Sequence, residues 1–227
     1  LFFIYFFFFF WLLTKSKFVK QTGLPAIAVI LLFTAKVIAC LFVGWILRND
    51  INADTWQYHR LALDEYHLLF NHPGEYFSNL FQSGYEHKYD GVIQMKNSYW
   101  NDLRTNLVIK LVSVLHIFSF GNFYVNIVLF NAIVFLGHIA LFRTCKALLN
   151  GLNVIMVISS FLLPSLLLFT SIIHKDGIIF FAISFAFYGF YTLKTAAKKW
   201  VPAALLLMAL GIIFLIRCRS INLTGQH

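Results

Sequence analysis

Residues 154–193 read VIMVISSFLLPSLLLFTSIIHKDGIIFFAISFAFYGFYTL, which is two apolar runs joined by a short polar segment. The runs extend over about 154–173 and 178–193, and the HKDG segment, residues 174–177, separates them. A helix that crosses a bilayer needs about 20 apolar residues. The stretch therefore predicts two membrane-spanning helices that are joined by a tight turn.

The rest of the chain is similarly apolar. Hydrophobic residues make up 60% of its 227 positions and charged residues only 12%, which is too little charge to cover a soluble fold. The other apolar runs are 1–13, 26–47, 122–142 and 201–216. We therefore predict an all-α membrane protein with about six transmembrane helices and one large extracytoplasmic loop that contains two interfacial amphipathic helices.

Positive charge in the short connections indicates the orientation. Residues 14–25, 143–153 and 194–200 contain lysine or arginine and no acidic residue. Basic connections of this kind lie in the cytoplasm. Residues 48–121 and the HKDG segment are then expected together on the extracytoplasmic face.

One segment leaves a second topology open. Residues 107–120 are apolar enough to suggest another span, but they contain Lys110 and His116, and their apolar residues recur at three- and four-residue spacing. That spacing is typical of an amphipathic helix that lies along the membrane surface. If the segment crossed the membrane instead, the large loop and the HKDG segment would lie on opposite faces.

The runs divide the chain into four parts. Residues 1–47 are predicted to form two transmembrane helices with a basic cytoplasmic loop between them. Residues 48–121 form the extracytoplasmic loop, residues 122–216 four transmembrane helices, and residues 217–227 an irregular or truncated tail. Because the chain begins inside an apolar run and without methionine, we expect a truncated first helix and a fragment of a longer protein.

The acidic residues are concentrated in two places. Eight of the nine lie within residues 48–107, and the ninth is Asp176 in the HKDG segment. A carboxylate near a membrane is costly unless it faces water or has a function. If both places face the same compartment, they can form one polar site. Asp54 precedes a predicted helix that extends to about Phe70, where it would serve as the N-cap.

Several other classes of site are not supported. The formal charge of +9 is spread between the apolar runs, which argues against nucleic acid as a partner and favours the lipid bilayer. The three cysteines are far apart and form no CxxC pair, so we expect neither a disulfide framework nor a zinc site. No cofactor or metal is expected, and no motif supports a divalent cation.

Two sets of residues resemble known families. The segment 49–54, which brings an Asp into the first loop directly after a transmembrane helix, resembles the GT-C superfamily of polytopic glycosyltransferases, as do the amphipathic helices at 54–70 and 102–118. That resemblance implies a polyprenyl-phosphate-linked sugar donor and a catalytic Asp in the first extracytoplasmic loop. Residues 53–58 and 171–177 also look like the GDTWxY and SxxHKDG elements of bacterial multi-pass envelope proteins, although this chain has Ala in place of the first Gly.

The resemblance implies a protein of the bacterial inner (plasma) membrane that acts on a polyprenyl-linked saccharide in cell-envelope saccharide assembly. Asp54 would deprotonate the acceptor hydroxyl, with Asp176 as the second catalytic candidate. Lys175 would hold the donor phosphate, and His174 would assist it or shuttle a proton. The alternatives are a helix cap for Asp54 and an ordinary polar turn at the HKDG segment, where Gly177 permits a sharp reversal. Asp176 could instead neutralise Lys175 or cap the next helix.

Other residues are secondary candidates. His59 and Arg60 follow Asp54 and could contact a phosphate, or Arg60 could reach lipid headgroups. Aromatic side chains of the loop could stack on sugar rings or anchor the loop at the membrane interface. These are Trp56, Tyr58, Tyr99 and Trp100. Inside the predicted spans, Lys36 and His138 could each line a cavity. Alternatively, Lys36 could extend to the surface, and His138 could only hydrogen-bond a neighbouring helix.

Three functions remain in competition. A glycosyltransferase, or a related polysaccharide polymerase, would use the acidic loop and the HKDG segment as one site. A transporter or flippase fits the membrane class, although no repeat between the two halves of the chain is detectable. A non-catalytic envelope scaffold would bind its partners through residues 48–121.

Overall fold

The computed structural model describes residues 1–50, 53–78, 99–149, 153–195 and Ala209. These residues are helical apart from short connections, and they include no strand. The prediction of an all-α fold is confirmed for this part of the chain.

The described residues form ten α-helices, with a 3₁₀ turn after the third and a π-helical segment after the eighth. The α-helices are α1 (Phe2–Lys15), α2 (Lys17–Lys20), α3 (Ala26–Ile46), α4 (Asp54–Asn71), α5 (Pro73–Ser78), α6 (Tyr99–Ser119), α7 (Phe123–Leu148), α8 (Asn153–Val157), α9 (Pro164–Phe169) and α10 (Lys175–Thr195). The 3₁₀ turn is Leu47–Asn49, and the π-helical segment is Ile158–Leu162.

Three of these helical stretches are long and apolar enough to cross a bilayer. They are Ala26–Asn49, Phe123–Leu148 and Lys175–Lys194, and they coincide with three of the predicted apolar runs. A chain with three such helices is a membrane protein. The apolar helix α1 is shorter than a span, and the run predicted at 201–216 lies outside the described residues apart from Ala209.

Helix α7 is the central helix of the bundle. Helices α1, α3, α6 and α10 all pack against it, and it is the most buried of the three candidate spans. Aromatic rings connect the layers: the Phe33 ring lies 5.8 Å from that of Phe6 and 5.5 Å from that of Phe135. Edge-to-face and offset contacts of this kind add to the apolar burial that holds membrane helices together.

The predicted span 154–173 is not one continuous helix. It consists of α8, the π-helical segment and α9, and Leu163 between them is extended, with φ −55° and ψ 125°. Pro164 is the physical reason, because a proline has no amide hydrogen and disfavours helical geometry in the residue before it. Residues 170–174 are again non-helical, and α10 follows.

Helices α4 and α6 occupy the two segments that were predicted to be amphipathic helices, and they pack against each other. Lys110 of α6 is buried and lies 2.5 Å from the Glu65 carboxylate of α4. The same ammonium donates to the backbone carbonyl of Tyr76 in α5 and lies 3.9 Å from the centre of the Tyr76 ring. One buried cation therefore connects three helices of the loop.

Candidate functional site

The start of α4 docks on the polar connection that precedes α10. The Thr55 hydroxyl is buried and donates to the carbonyl of Ile173, at 2.9 Å. This hydrogen bond joins residues that are 118 positions apart in the chain. It brings Asp54, the first residue of α4, next to the HKDG segment.

His174 lies between two carboxylates. Its Nε2 is 2.9 Å from Oδ2 of Asp54, and its Nδ1 is 3.1 Å from Oδ2 of Asp176. The backbone amide of Asp176 also points at Nδ1, at 3.3 Å. The structure thus places His174, Asp54 and Asp176, all proposed from the sequence, in one cluster.

The contacts of His174 define what its ring can do in each protonation state. In the neutral ring, Nδ1 accepts the Asp176 amide hydrogen and Nε2–H donates to Asp54. In the doubly protonated ring, Nδ1–H donates to the Asp176 carboxylate instead. Each ring nitrogen of His174 therefore has a polar partner, which fixes the orientation of the ring.

The two carboxylates are accessible, whereas the histidine is not. The Asp54 and Asp176 side chains are 57% and 46% exposed, and that of His174 is 11% exposed. A ligand can therefore reach the carboxylates of Asp54 and Asp176, and the buried His174 ring holds each of them in place. Both carboxylates also lie in the first turn of a helix, where the helix dipole favours negative charge.

Asp54 does not cap its helix, in contrast to the prediction. Ala53 occupies the N-cap position, and no side chain there accepts a hydrogen bond from the helix. Asp54 is the first helical residue, and its carboxylate is directed to His174. The capping explanation for an Asp at this position is therefore wrong.

Gly177 is required for packing rather than for a reversal of the chain. It lies in the first turn of α10, and the reversal occurs before it, in residues 170–174. A Cβ atom on Gly177 would lie 2.9 Å from the Phe130 ring and 3.1 Å from the Thr170 carbonyl oxygen. Glycine lets α10 approach α7 closely at the level of the site.

Lys175 is half-buried beside the cluster. It makes no hydrogen bond or ion pair within the part of the chain that the structure describes. Its ammonium group is therefore available to a ligand, as the sequence analysis proposed.

The aromatic candidates differ in position. Tyr58 is buried, and its ring meets that of His174 edge-on at 5.7 Å. Trp56 donates from its indole nitrogen to the Gly44 carbonyl, at 3.1 Å, and stacks on Phe123 at 3.9 Å. Trp56 therefore joins α4 to α3 and α7. Tyr99 and Trp100 open α6, and their side chains lie outside what the structure describes.

His59 packs away from His174, against His116 of α6 at 4.9 Å between ring centres and against Phe123 at 5.1 Å. Burial, reinforced by His116 and Arg60, lowers the pKa of His59 to about 4. Arg60 itself is exposed. The structure therefore assigns His59 to the contact between helices rather than to the cluster.

A buried polar cluster within the bundle joins Lys36 to partners that the sequence did not indicate. Lys36 is only 2% exposed and does not extend to the surface. Its ammonium donates to the hydroxyls of Thr170, at 2.6 Å, and Ser171, at 3.2 Å. The Asn131 amide donates to the Ser171 carbonyl, at 2.9 Å. These contacts anchor the non-helical segment that leads to His174.

His138 completes this cluster. Pro164 has no amide hydrogen to donate, so the carbonyl of Ser160, four residues earlier, loses its helical partner. His138 Nδ1 lies 2.5 Å from that carbonyl oxygen, and its Nε2 lies 3.0 Å from the Thr170 hydroxyl. Two features of the sequence indicate that such a contact is needed and available. They are Pro164 inside an apolar run and His138 in the preceding span.

Metal binding finds no support in the described residues, where no group of three or more histidine, cysteine or acidic side chains converges on a common point. The two carboxylates of the cluster approach opposite edges of the His174 ring instead. Comparison with protein families, characterised proteins and solved structures found no match. The site is therefore interpreted from its own geometry.

Proposed function

We propose that this membrane protein is a glycosyltransferase that uses a polyprenyl-phosphate-linked sugar donor in cell-envelope saccharide assembly. The proposal rests on one observation: His174 contacts the exposed carboxylates of both Asp54, which is 120 positions away in the chain, and Asp176. A fixed and accessible carboxylate beside an available lysine provides both a base and a phosphate partner.

The chemistry follows from these positions. Asp54 accepts the proton of the acceptor hydroxyl while one of its oxygens stays bonded to His174. The hydroxyl oxygen then forms a bond to the anomeric carbon of the donor sugar. The bond between that carbon and the phosphate oxygen breaks, and the departing polyprenyl phosphate keeps the electron pair. Lys175 offsets the negative charge that develops on this phosphate.

The proposed membrane topology has about six spans, with the cluster on the extracytoplasmic face of the bacterial inner membrane. Helix packing supports it. The segment before α3 meets the end of α7, where Lys146 donates to the Thr22 carbonyl. Arg143 in the same part of α7 contacts Tyr188, which is far along α10 from Asp176. The basic connections therefore gather at the end of the bundle opposite to the cluster.

Asp54→Asn tests the proposal. The amide keeps a hydrogen bond to His174 but cannot accept a proton, so sugar transfer should fall by about 10²- to 10⁴-fold. Transfer is measured in proteoliposomes supplied with polyprenyl-phosphate-linked hexoses. Asp64→Asn is the matched control, because Asp64 is an exposed carboxylate of the same helix, and it should transfer at the wild-type rate. Unchanged transfer by a folded Asp54→Asn protein would remove Asp54 from the mechanism.

A transporter is the second candidate, and the interrupted helix before α10 favours it. Transporters place substrate sites at discontinuous helices inside the membrane. Here α9 has a non-helical residue on each side: His138 contacts the Ser160 carbonyl before it and Thr170 after it, and the buried cation Lys36 contacts Thr170 and Ser171. Substrate flux into vesicles without any glycosyl product would support this function over the first.

A further inference from the structure

A pocket of about 430 Å³ lies at the basic end of the bundle, opposite to the Asp54–His174 cluster. Three elements form it: the turn after α2 and the last turns of α7 and α10. Its lining consists of Gln21, Arg143, Lys146, Ala147, Tyr188, Tyr191 and Thr192. The proposed sugar transfer uses none of these residues.

Arg143 is held in a fixed orientation at this pocket. Its guanidinium carbon lies 4.6 Å from the centre of the Phe18 ring and 4.7 Å from that of Tyr188. The two rings meet edge-on at 5.4 Å. Arg143 makes no hydrogen bond or ion pair with any residue that the structure describes, so its N–H donors are available to a ligand.

Lys146 is likewise anchored. Its ammonium donates to the carbonyl of Thr22, at 2.7 Å, which leaves two of its three hydrogens for a ligand. The neighbouring Gly23 has a φ of +74°, and a Cβ atom there would lie 2.9 Å from the Lys146 nitrogen. The glycine turn thus makes room for the ammonium group at the edge of the pocket.

Among the residues that the structure describes, no carboxylate forms an ion pair with either of these two cations. All nine acidic residues lie within positions 50–102 or at Asp176, and Asp176 is at the opposite end of α10. An anion from outside the chain is therefore the natural partner. A planar guanidinium next to an ammonium suits a phosphate group, which accepts several charge-assisted hydrogen bonds at once.

The depth of the pocket indicates the source of the phosphate. Helix α7 has 26 residues. At about 1.5 Å per residue such a helix is about 39 Å long, which exceeds the roughly 30 Å of hydrocarbon in a bilayer. If the helix extends past the hydrocarbon by about 4–5 Å at each end, its last turn, which includes Lys146, lies at the level of the lipid headgroups, and the long side chain of Arg143, one turn earlier, can extend to it.

We infer that Arg143 and Lys146, together with Tyr188, form a binding site for the phosphate of an anionic lipid headgroup in the leaflet at the basic end. The inference does not depend on the chemistry at Asp54, because a transporter or a scaffold with this fold would have the same pocket. Bound lipid would hold the ends of α7 and α10 together with the turn after α2.

The test measures lipid retention by native mass spectrometry of the protein released from membranes containing phosphatidylglycerol and phosphatidylcholine. Wild-type protein should retain phosphatidylglycerol preferentially, and the double variant Arg143→Gln with Lys146→Gln should lose that preference by about tenfold or more. The matched control removes the same charge from exposed lysines at the same end, Lys15→Gln with Lys17→Gln, and should retain lipid like the wild type. Equal losses in both double variants would overturn the inference, because they would reflect charge alone.

Two further arms complete the test. Arg143→Lys keeps the charge but lacks the planar group that packs against both rings, so it should bind phosphatidylglycerol more weakly than the wild type while staying folded. Wild-type retention in Arg143→Lys would overturn the role of the stacked guanidinium. Inorganic phosphate at millimolar concentration should not displace the lipid. Displacement would identify a soluble phosphate compound as the ligand and overturn the lipid assignment.

Discussion

The pKa values of His59 and His116 are determined mainly by the burial of their rings. Their rings lie 4.9 Å apart between α4 and α6. Burial is the main cause that lowers the pKa of each to about 4 from an ordinary value of 6.5. Nearby cationic groups contribute further: His116 and Arg60 for His59, and His67 for His116.

This histidine pair predicts a loss of stability in acid. Above pH 6.5 both rings are neutral in the folded and the unfolded chain, so the pair does not make the stability depend on pH. As the pH falls from 6.5 towards 4, the unfolded chain takes up protons that the folded protein excludes, and stability decreases. The midpoint of thermal unfolding in detergent should therefore fall over this range. Replacing both histidines with glutamine should flatten that fall, whereas His72→Gln, at the exposed position that follows α4, should not.

At the scale of helices, the approach of α10 to α7 depends on glycine. A methyl group at Gly177 would meet the Phe130 ring at 2.9 Å, so Gly177→Ala should destabilise the protein by about 1–3 kcal/mol. Thermal unfolding in detergent measures the change. Gly74→Ala is the control, because a Cβ atom there meets nothing within 4 Å, and it should unfold like the wild type. Equal stability of the two variants would show that α10 does not pack as described.

The helices themselves were largely predictable, and their interruptions were not. Apolar runs and amphipathic spacing located α3, α4, α6, α7 and α10 to within a few residues. The break at Leu163 was missed because the run 154–173 was assessed by its length, and one proline inside it did not reveal how the freed carbonyl would be satisfied. That partner, His138, comes from another helix, and only the folded arrangement shows it.

The polar contacts between helices were also not predictable from the sequence. The sequence placed Asp54 and His174 in two segments that could face one compartment, but the 2.9 Å contact between them requires the fold. For Lys36 the sequence left open a place that lines a cavity or extension to the surface. Burial is favoured instead because the Thr170 and Ser171 hydroxyls accept its hydrogen bonds. A buried lysine is tolerated in a membrane protein when such partners are present.

For the whole molecule, the separation of charge between the two ends of the bundle predicts its orientation. The described parts of the basic connections lie near Arg143 and Lys146, and the acidic cluster lies at the other end of the same helices. Because basic connections stay in the cytoplasm, the end with Asp54 should face the outside. This orientation is also what a donor presented on the outer face would require.

Single cysteines test this orientation in a chain whose native cysteines are replaced by alanine. Gln57→Cys reports on the acidic end and Lys17→Cys on the basic end, and both positions are exposed. A membrane-impermeant maleimide added to intact cells from which the outer barrier has been removed should label Gln57→Cys and not Lys17→Cys. After permeabilisation it should label both, which shows that the second thiol is reactive. Labelling of Lys17→Cys in intact cells would contradict the orientation, because the basic end would then face the outside and the cluster would open to the cytoplasm.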